Sequence, residues 1–186
     1  MKKLTMMLVL SMAILSGCAT TQMTKLETKP DLAPPSDMST LFIFRETYFG
    51  GAIVFWHYLD GKLIGETKAH DYFKTQVTPG SHYVVTATEN ATASYFDFKP
   101  GKSYFLGQGV AMGIWRARSS GFYPMTQEAA LKAMNDCSYQ EYTPKNGPVE
   151  MDPKLYAQAI EDYQKDLKVN PDGYKDILNY DGVVMK

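Results

Sequence analysis

Two cysteines, three histidines and a few neighbouring acids are the groups in this chain that could act as nucleophiles, bases or metal ligands. Cys18 ends the run Leu15-Ser16-Gly17-Cys18, and among common side chains a thiolate is the best nucleophile near neutral pH. Cys137 stands alone, with two readings: a small buried hydrophobe, the usual fate of a free cysteine, or one half of an intermolecular disulfide. His57, His70 and His82, with Asp60 or Asp71, could be imagined around a metal ion. Their spacing matches neither a helical H-E-x-x-H nor a zinc knuckle. His57 shares a strand face with Phe55 and Leu59, which reads as a neutral core histidine.

The remaining chemistry-like patterns have plainer accounts. "GQGVAMG", with Gly107, Gly109 and Gly113, is not G-x-G-x-x-G and lies in no βαβ unit, so it reads as a glycine-rich strand end or bulge. No G-x-S-x-G elbow is present, and Cys137 lacks a recognisable histidine partner motif. The expectation is a protein with no catalytic residues, no metal and no cofactor. Trp56, Trp115, Phe122 and Tyr123 form a possible binding surface, since flat rings suit sugar or peptidoglycan; core filling is their more ordinary use.

The N-terminus has its own pattern. Met1-Lys2-Lys3 is positive, and Leu4 to Leu15 is mostly apolar but shorter than the roughly 20 residues of a membrane-spanning helix. That fits a secretory signal, except that its small pair is followed at once by cysteine. The run Leu15-Ser16-Gly17-Cys18 resembles the lipobox of bacterial lipoproteins. The resemblance implies cleavage before Cys18, diacylglycerol on its sulfur and an acylated amino group, hence a stable membrane anchor. Ala19 in the next position implies forwarding to the outer membrane, with the protein facing the periplasm.

A formal net charge of -1, with 19 basic against 20 acidic residues, argues against a nucleic-acid partner, which requires a gathered surplus of Lys and Arg. An aromatic content of 13% argues against a disordered chain. Residues 18–39, polar and containing Pro30, Pro34 and Pro35, read as a lipidated cysteine and flexible tether.

Beyond the tether come seven strand-length runs: 40–46, 52–59, 62–67, 72–77, 81–89, 94–99 and 103–109. Each is rich in Val, Ile, Phe, Tyr or Thr and bounded by turn residues. Asp60-Gly61 suits a tight hairpin, while Pro79-Gly80 and Pro100-Gly101 pair a fixed φ with a permissive one. Period two puts Phe96 and Phe98 inside, with Tyr95, Asp97 and Lys99 outside. The run 52–59 is apolar on both faces and needs a cover. Thr126 caps a helix over 125–137 with Ala130, Leu131 and Met134 on one side, and Asp152-Pro153 opens a second over 154–169, stopped by Pro171. Its stripe of Tyr156, Ala159, Ile160, Tyr163 and Leu167 is expected to pack on the sandwich.

Several motifs recur in one order: Arg45 ending the first strand, Asp60-Gly61-Lys62, Gly65, Tyr72-Phe73, Pro79-Gly80 with His82, and Pro100 to Phe105. This order resembles an uncharacterised bacterial lipoprotein domain of the PEGA-like, carboxypeptidase-regulatory-like β-sandwiches. The resemblance covers about 40–140 and implies a sandwich without implying an activity.

The expected fold is therefore mainly β, an antiparallel sandwich of about seven strands followed by one or two C-terminal helices. The expected divisions are a signal peptide (1–17), the tether (18–39), the sandwich with a terminal helix (40–140) and a helical extension (141–186). The expected role is a non-enzymatic, lipid-anchored envelope protein working through a protein partner or envelope architecture. The alternative is a peptidoglycan- or carbohydrate-binding lipoprotein.

Overall fold

The computed structural model describes residues 22–185. Cys18 and the signal-like segment lie outside the described residues. The fold is mainly β, with two facing sheets and a helix against the outside of each.

Among the described residues ten strands form the sheets: β1 (Met23–Leu26), β2 (Ser39–Arg45), β3 (Phe55–Leu59), β4 (Lys62–Thr67), β5 (Asp71–Val77), β6 (Gly80–Ala87), β7 (Ala91–Phe98), β8 (Ser103–Met112), β9 (Ala117–Pro124) and β10 (Ser138–Tyr142). A six-stranded sheet has the order β1-β10-β5-β2-β8-β9 and a four-stranded sheet the order β4-β3-β6-β7. The smaller sheet is antiparallel throughout. The larger one is mixed, because β10 runs parallel to β5 and β2 parallel to β8.

All seven expected strand runs are strands. The expectation for 52–59 was too long at its start, since β3 begins at Phe55 and the preceding residues form a loop. Strands β1, β9 and β10 add to the seven. Between the sheets Leu41, Ile43, Phe73, Val84, Phe96 and Phe98 form the central core, with Tyr95 half-buried and Asp97 exposed on the other face. β2 is buried along its whole length. Its even residues Phe42 and Phe44 point away from the central core into a second cluster, as a strand covered on both faces must.

The cover over that second cluster is helix α1 (Gln127–Asp136). Thr126 caps it, accepting from the backbone N–H of Ala129 at 3.1 Å. Its inward residues are Ala130, Ala133 and Met134, whereas Leu131 is exposed. Two alanines and Met134 make up its buried face, with Leu131 at the margin. Helix α2 (Pro153–Val169) covers the four-stranded sheet, mainly across β7. Asp152 caps it with bonds from Lys154 and Leu155. Ala159 and Tyr163 are buried, and Tyr156, Ile160 and Leu167 pack partly buried beside Tyr58, Tyr83 and Val85. The expected stripe thus packs within the monomer. Glu161 and Lys165 pair on its exposed side at 2.7 Å.

The C-terminal segment closes the open side of the sandwich. After a 3₁₀ turn (Pro171–Tyr174) and the short helix α3 (Lys175–Leu178), Ile177 is buried in the central core and Val183 bridges to Ser103.

The turns explain the repeated Pro-Gly. Gly80 has φ 122° and Gly101 φ 70°, both in the region that favours glycine. Each lies where the chain changes sheet, from β5 to β6 and from β7 to β8. Gly80 pairs with Phe98, so the two corners are neighbours at one end of the sandwich. Asp60 and Gly61 both have positive φ, as a two-residue hairpin turn between twisted strands requires.

One boundary expectation is corrected. Residues 23–38 are not a free tether: β1 pairs with β10, Leu32 packs against the α1-side cluster, and its carbonyl accepts from Ser103 Oγ at 2.5 Å. Polar composition hid this because β1 is an edge strand held largely by backbone bonds.

Candidate functional site

At the end opposite the Pro-Gly corners, three loops meet: 46–54, the β6–β7 turn and the β8–β9 turn. Arg45 organises the first. Its side chain is fully buried, and its guanidinium donates to the carbonyls of Ile53 (2.5 Å), Gly50 (2.7 Å), Phe49 (3.1 Å) and Thr67 (3.3 Å). It also lies 4.1 Å from the centroid of the Phe55 ring. Burial lowers its pKa to about 10, with the Asp71 carboxylate acting in the opposite direction, so the cation persists at neutral pH. The loop's fold is therefore written around one charge.

The β8–β9 turn is held by another charge. The carboxylate of Glu89 accepts the backbone N–H groups of Ile114 (2.9 Å), Trp115 (3.3 Å) and Arg116 (2.8 Å). Those bonds hold its pKa below the ordinary value, with the Arg116 bond the largest cause. Gly113 donates to the Arg116 carbonyl at 2.9 Å, and a Cβ at Gly113 would collide with Glu89. Beside it, Asn90 bonds both backbone groups of Ser119. A Cβ at Gly50 would collide with Ala117, so the 46–54 loop touches the same hairpin.

A buried polar line runs inward between the sheets. His57 Nδ1 lies 3.1 Å from Thr86 Oγ1, which in turn donates to Gln108 Oε1 at 2.9 Å. Thr86 must then accept from His57, so the ring carries its proton on Nδ1 and Nε2 accepts from Thr67 Oγ1 at 2.9 Å. Gln108 continues to Ser119 Oγ at 3.1 Å, and Ser119 to Thr92 at 2.5 Å. Burial first, and Arg45 second, pull the His57 pKa down to about 3. It is the neutral core histidine expected from its strand face.

The other candidates scatter. His82 pairs with Asp60 at 2.6 Å on the surface, and His70 stacks on Tyr48 with ring centroids 3.5 Å apart. Among the described residues no group of three or more His, Cys, Asp or Glu side chains could hold a metal ion. Gly109 sits at a register shift between Gln108 and Val110, the bulge read from the glycine-rich run.

The four-ring surface is also corrected. Phe122 packs towards the central core, 5.9 Å from the His57 ring, whereas Tyr123 is 45% exposed and covers Gly107. Neighbours on one strand face opposite ways, so they cannot share a platform. Trp56 adjoins the inward-facing His57 on β3 and is half-buried; Trp115 is 89% exposed at the β8–β9 turn. Phe122 instead helps line a cleft of about 200 Å³ with Thr92, Ser94, Asp166, Asn170 and Tyr174, where the Tyr174 hydroxyl already bonds Asp166 at 2.5 Å.

Cys137 ends α1 in the buried cluster, and burial pushes its thiol up to about 12. The intermolecular-disulfide reading does not fit such a position. In the chain carrying Cys18→Ser, an aromatic disulfide reagent at pH 8 is expected to titrate no thiol until denaturant is added. Rapid native-state reaction would contradict the packing of α1.

The residues that sequence reasoning missed here are Glu89 and, in the turn it holds, the exposed Met112 and Ile114. Glu89 acts from 25 residues away on backbone donors, which leaves no side-chain pattern to read.

In comparison with known proteins, the chain is 28% identical over 127 residues to a protein of Haemophilus influenzae described as uncharacterized. That match spans 66% of this chain and 75% of its relative. No family model matches the chain, and no solved structure matches it.

Proposed function

We propose that this protein is a non-enzymatic, lipid-anchored lipoprotein of the bacterial envelope, held at the outer membrane on its periplasmic side, whose sandwich works by contact. The observation that carries the contact reading is the division of labour among its side chains. Arg45 and Glu89, the charges at the three-loop end, are committed to holding backbone, and His57 below them is committed to the hydroxyls of Thr67 and Thr86. The apolar residues Met112, Ile114 and Trp115 are instead offered to solvent, at 78%, 83% and 89% exposure. Side chains spent on architecture beside apolar ones spent on the surface fit a docking module better than a reaction centre. The anchor rests on Leu15-Ser16-Gly17-Cys18, and the PEGA-like order of motifs is consistent with a module of this kind.

The test begins with the anchor. Labelled fatty acid is expected in the wild-type protein and absent from Cys18→Ser, which should remain unprocessed or leave the membrane fraction. Equal labelling of both would remove the lipid anchor. Crosslinking in cells from the 112–116 turn then identifies what the module touches.

A further inference from the structure

We infer that the cleft between the edges of the two sheets is a binding site for a neutral sugar unit. It lies where β7 and β9, each the last strand of its sheet, leave the sandwich open. Open strand edges can also capture an extended peptide. Here α3 crosses the gap, touching both strands and burying Ile177 in the central core, where an added strand would have to run. What remains is a compact cleft of about 200 Å³, below the roughly 300–1,000 Å³ of drug-sized pockets and sized for a single ring.

The observation that points to a ligand is Ser94. It shares the inward face of β7 with Phe96, lines the cleft and is 4% exposed. Its hydroxyl nevertheless finds no hydrogen-bond partner among the described residues. Buried hydroxyls are ordinarily bonded, because an unmatched one keeps its full desolvation cost. Thr92, two residues back on the same face, shows the contrast: its hydroxyl is bonded to Ser119 at 2.5 Å. Ser94 is the buried group that a molecule in the cleft completes.

Its surroundings select the ligand. Among the described residues that line the cleft there is no Lys, Arg or His, and the exposed Asp166 repels a phosphate or carboxylate. Asp166 Oδ2 already accepts the Tyr174 hydroxyl at 2.5 Å, which leaves Oδ1 for a ligand hydroxyl. Asn170 adds an amide that both donates and accepts, and a Cβ at Gly173 would press on that amide, so the glycine makes its room. Phe122 and Tyr174 supply ring surface for the C–H face of a pyranose. A hydroxyl, an amide, a carboxylate oxygen and aromatic surface match a group whose hydroxyls donate and accept; an ammonium would use the acceptors alone. A second space of about 180 Å³ adjoins the first and shares Thr92, Ala93, Asp166 and Tyr174 with it. Two adjoining spaces of this size suit a disaccharide unit better than a single ring.

The site involves neither the lipid at Cys18 nor the exposed 112–116 turn, so it stands or fails apart from the proposed function. The chain from residue 18, carrying Cys18→Ser, keeps every described element. It is titrated with chitobiose, maltose, cellobiose and lactose while its backbone amide resonances are followed. Expected are saturable shifts at 92–94, 120–122 and 170–174 with at least one of these sugars, and none with tetramethylammonium or glucuronate at equal concentration. Ser94→Ala removes one hydroxyl from a small buried site and should weaken binding about fivefold, the worth of one neutral hydrogen bond, with the unfolding curve unchanged. Asp166→Asn, at an exposed position, should weaken it at least about tenfold, as the loss of a charged acceptor does. Absence of shifts with all of the sugars at tens of millimolar overturns the proposal. So do shifts confined to the 112–116 turn, an equal response to tetramethylammonium, or sugar binding that both substitutions leave unaltered.

Discussion

Replacing Arg45 with methionine is expected to cost about 3 kcal/mol of folding stability or more, the range for leaving buried partners of a charge unmatched. Methionine retains much of the stem and its contact with Phe55 but none of the donors. Four carbonyls, of Phe49, Gly50, Ile53 and Thr67, then lose their hydrogen bond to the guanidinium. Lysine should rescue only part, because one ammonium cannot reproduce a planar fork that serves both the loop and β4. Urea unfolding gives the stability change, and hydrogen exchange over 49–53 separates a local from a global effect. A loss within about 0.5 kcal/mol of zero, the range of ordinary surface substitutions, would mean that the carbonyls find water and that the loop does not depend on Arg45.

Arg45 also shows why the sequence was legible in some places and opaque in others. Strand runs and Pro-Gly turns are local, with signals that lie within a few residues of one another. The seven runs and the positive φ of Gly80 and Gly101 could therefore be read directly. An Arg at the end of an apolar strand looks like a solvent-facing boundary. Its burial depends on a loop folding back over it, which no periodicity announces. Ile53 and Val54 looked like strand for the same reason, although that stretch is shaped by the guanidinium.

The three additional strands are hidden by composition. In β9 the inward residues include Ala117 and Ser119, small or polar because Gln108 and Thr92 need a partner there rather than a hydrophobe. β10 and β1 are short and held by pairing across the chain, Met23 with Tyr142 and Ser138 with Asp71. Helix α1 was found by its cap, but its buried face was misjudged at Leu131. The buried face is carried by Ala130, Ala133 and Met134, and a hydrophobicity stripe weights leucine above alanine. The candidate site was the least legible part. Trp115 was visible as an aromatic, while its exposure depends on Glu89 holding the turn open from another strand pair.

His57 should make the protein lose stability on mild acidification, and the sign follows from the direction of its shift. Free imidazole titrates near 6.5, whereas the buried ring titrates at about 3. Above pH 6.5 both the folded and the unfolded chain carry the ring neutral, and the stability is complete. As the pH falls through 6.5, the unfolded chain binds a proton that the folded chain refuses, so unfolding becomes progressively easier until about pH 3. The slope approaches 1.36 kcal/mol per pH unit, which amounts to about 2 kcal/mol by pH 5. The folded chain refuses the proton for a structural reason: Nε2 accepts from Thr67, Nδ1 already donates to Thr86, and Arg45 adds like charge. His57→Gln changes the absolute stability by an amount that depends on how the amide meets the two threonines. The informative quantity is the slope, obtained from unfolding free energies at pH 7.5, 6 and 5. Wild type should fall more steeply than His57→Gln across that interval, where most carboxylates remain ionised in both proteins. Parallel curves would mean that protonated His57 is accommodated, and that the polar line from Thr67 to Thr92 opens to water more readily than its burial implies.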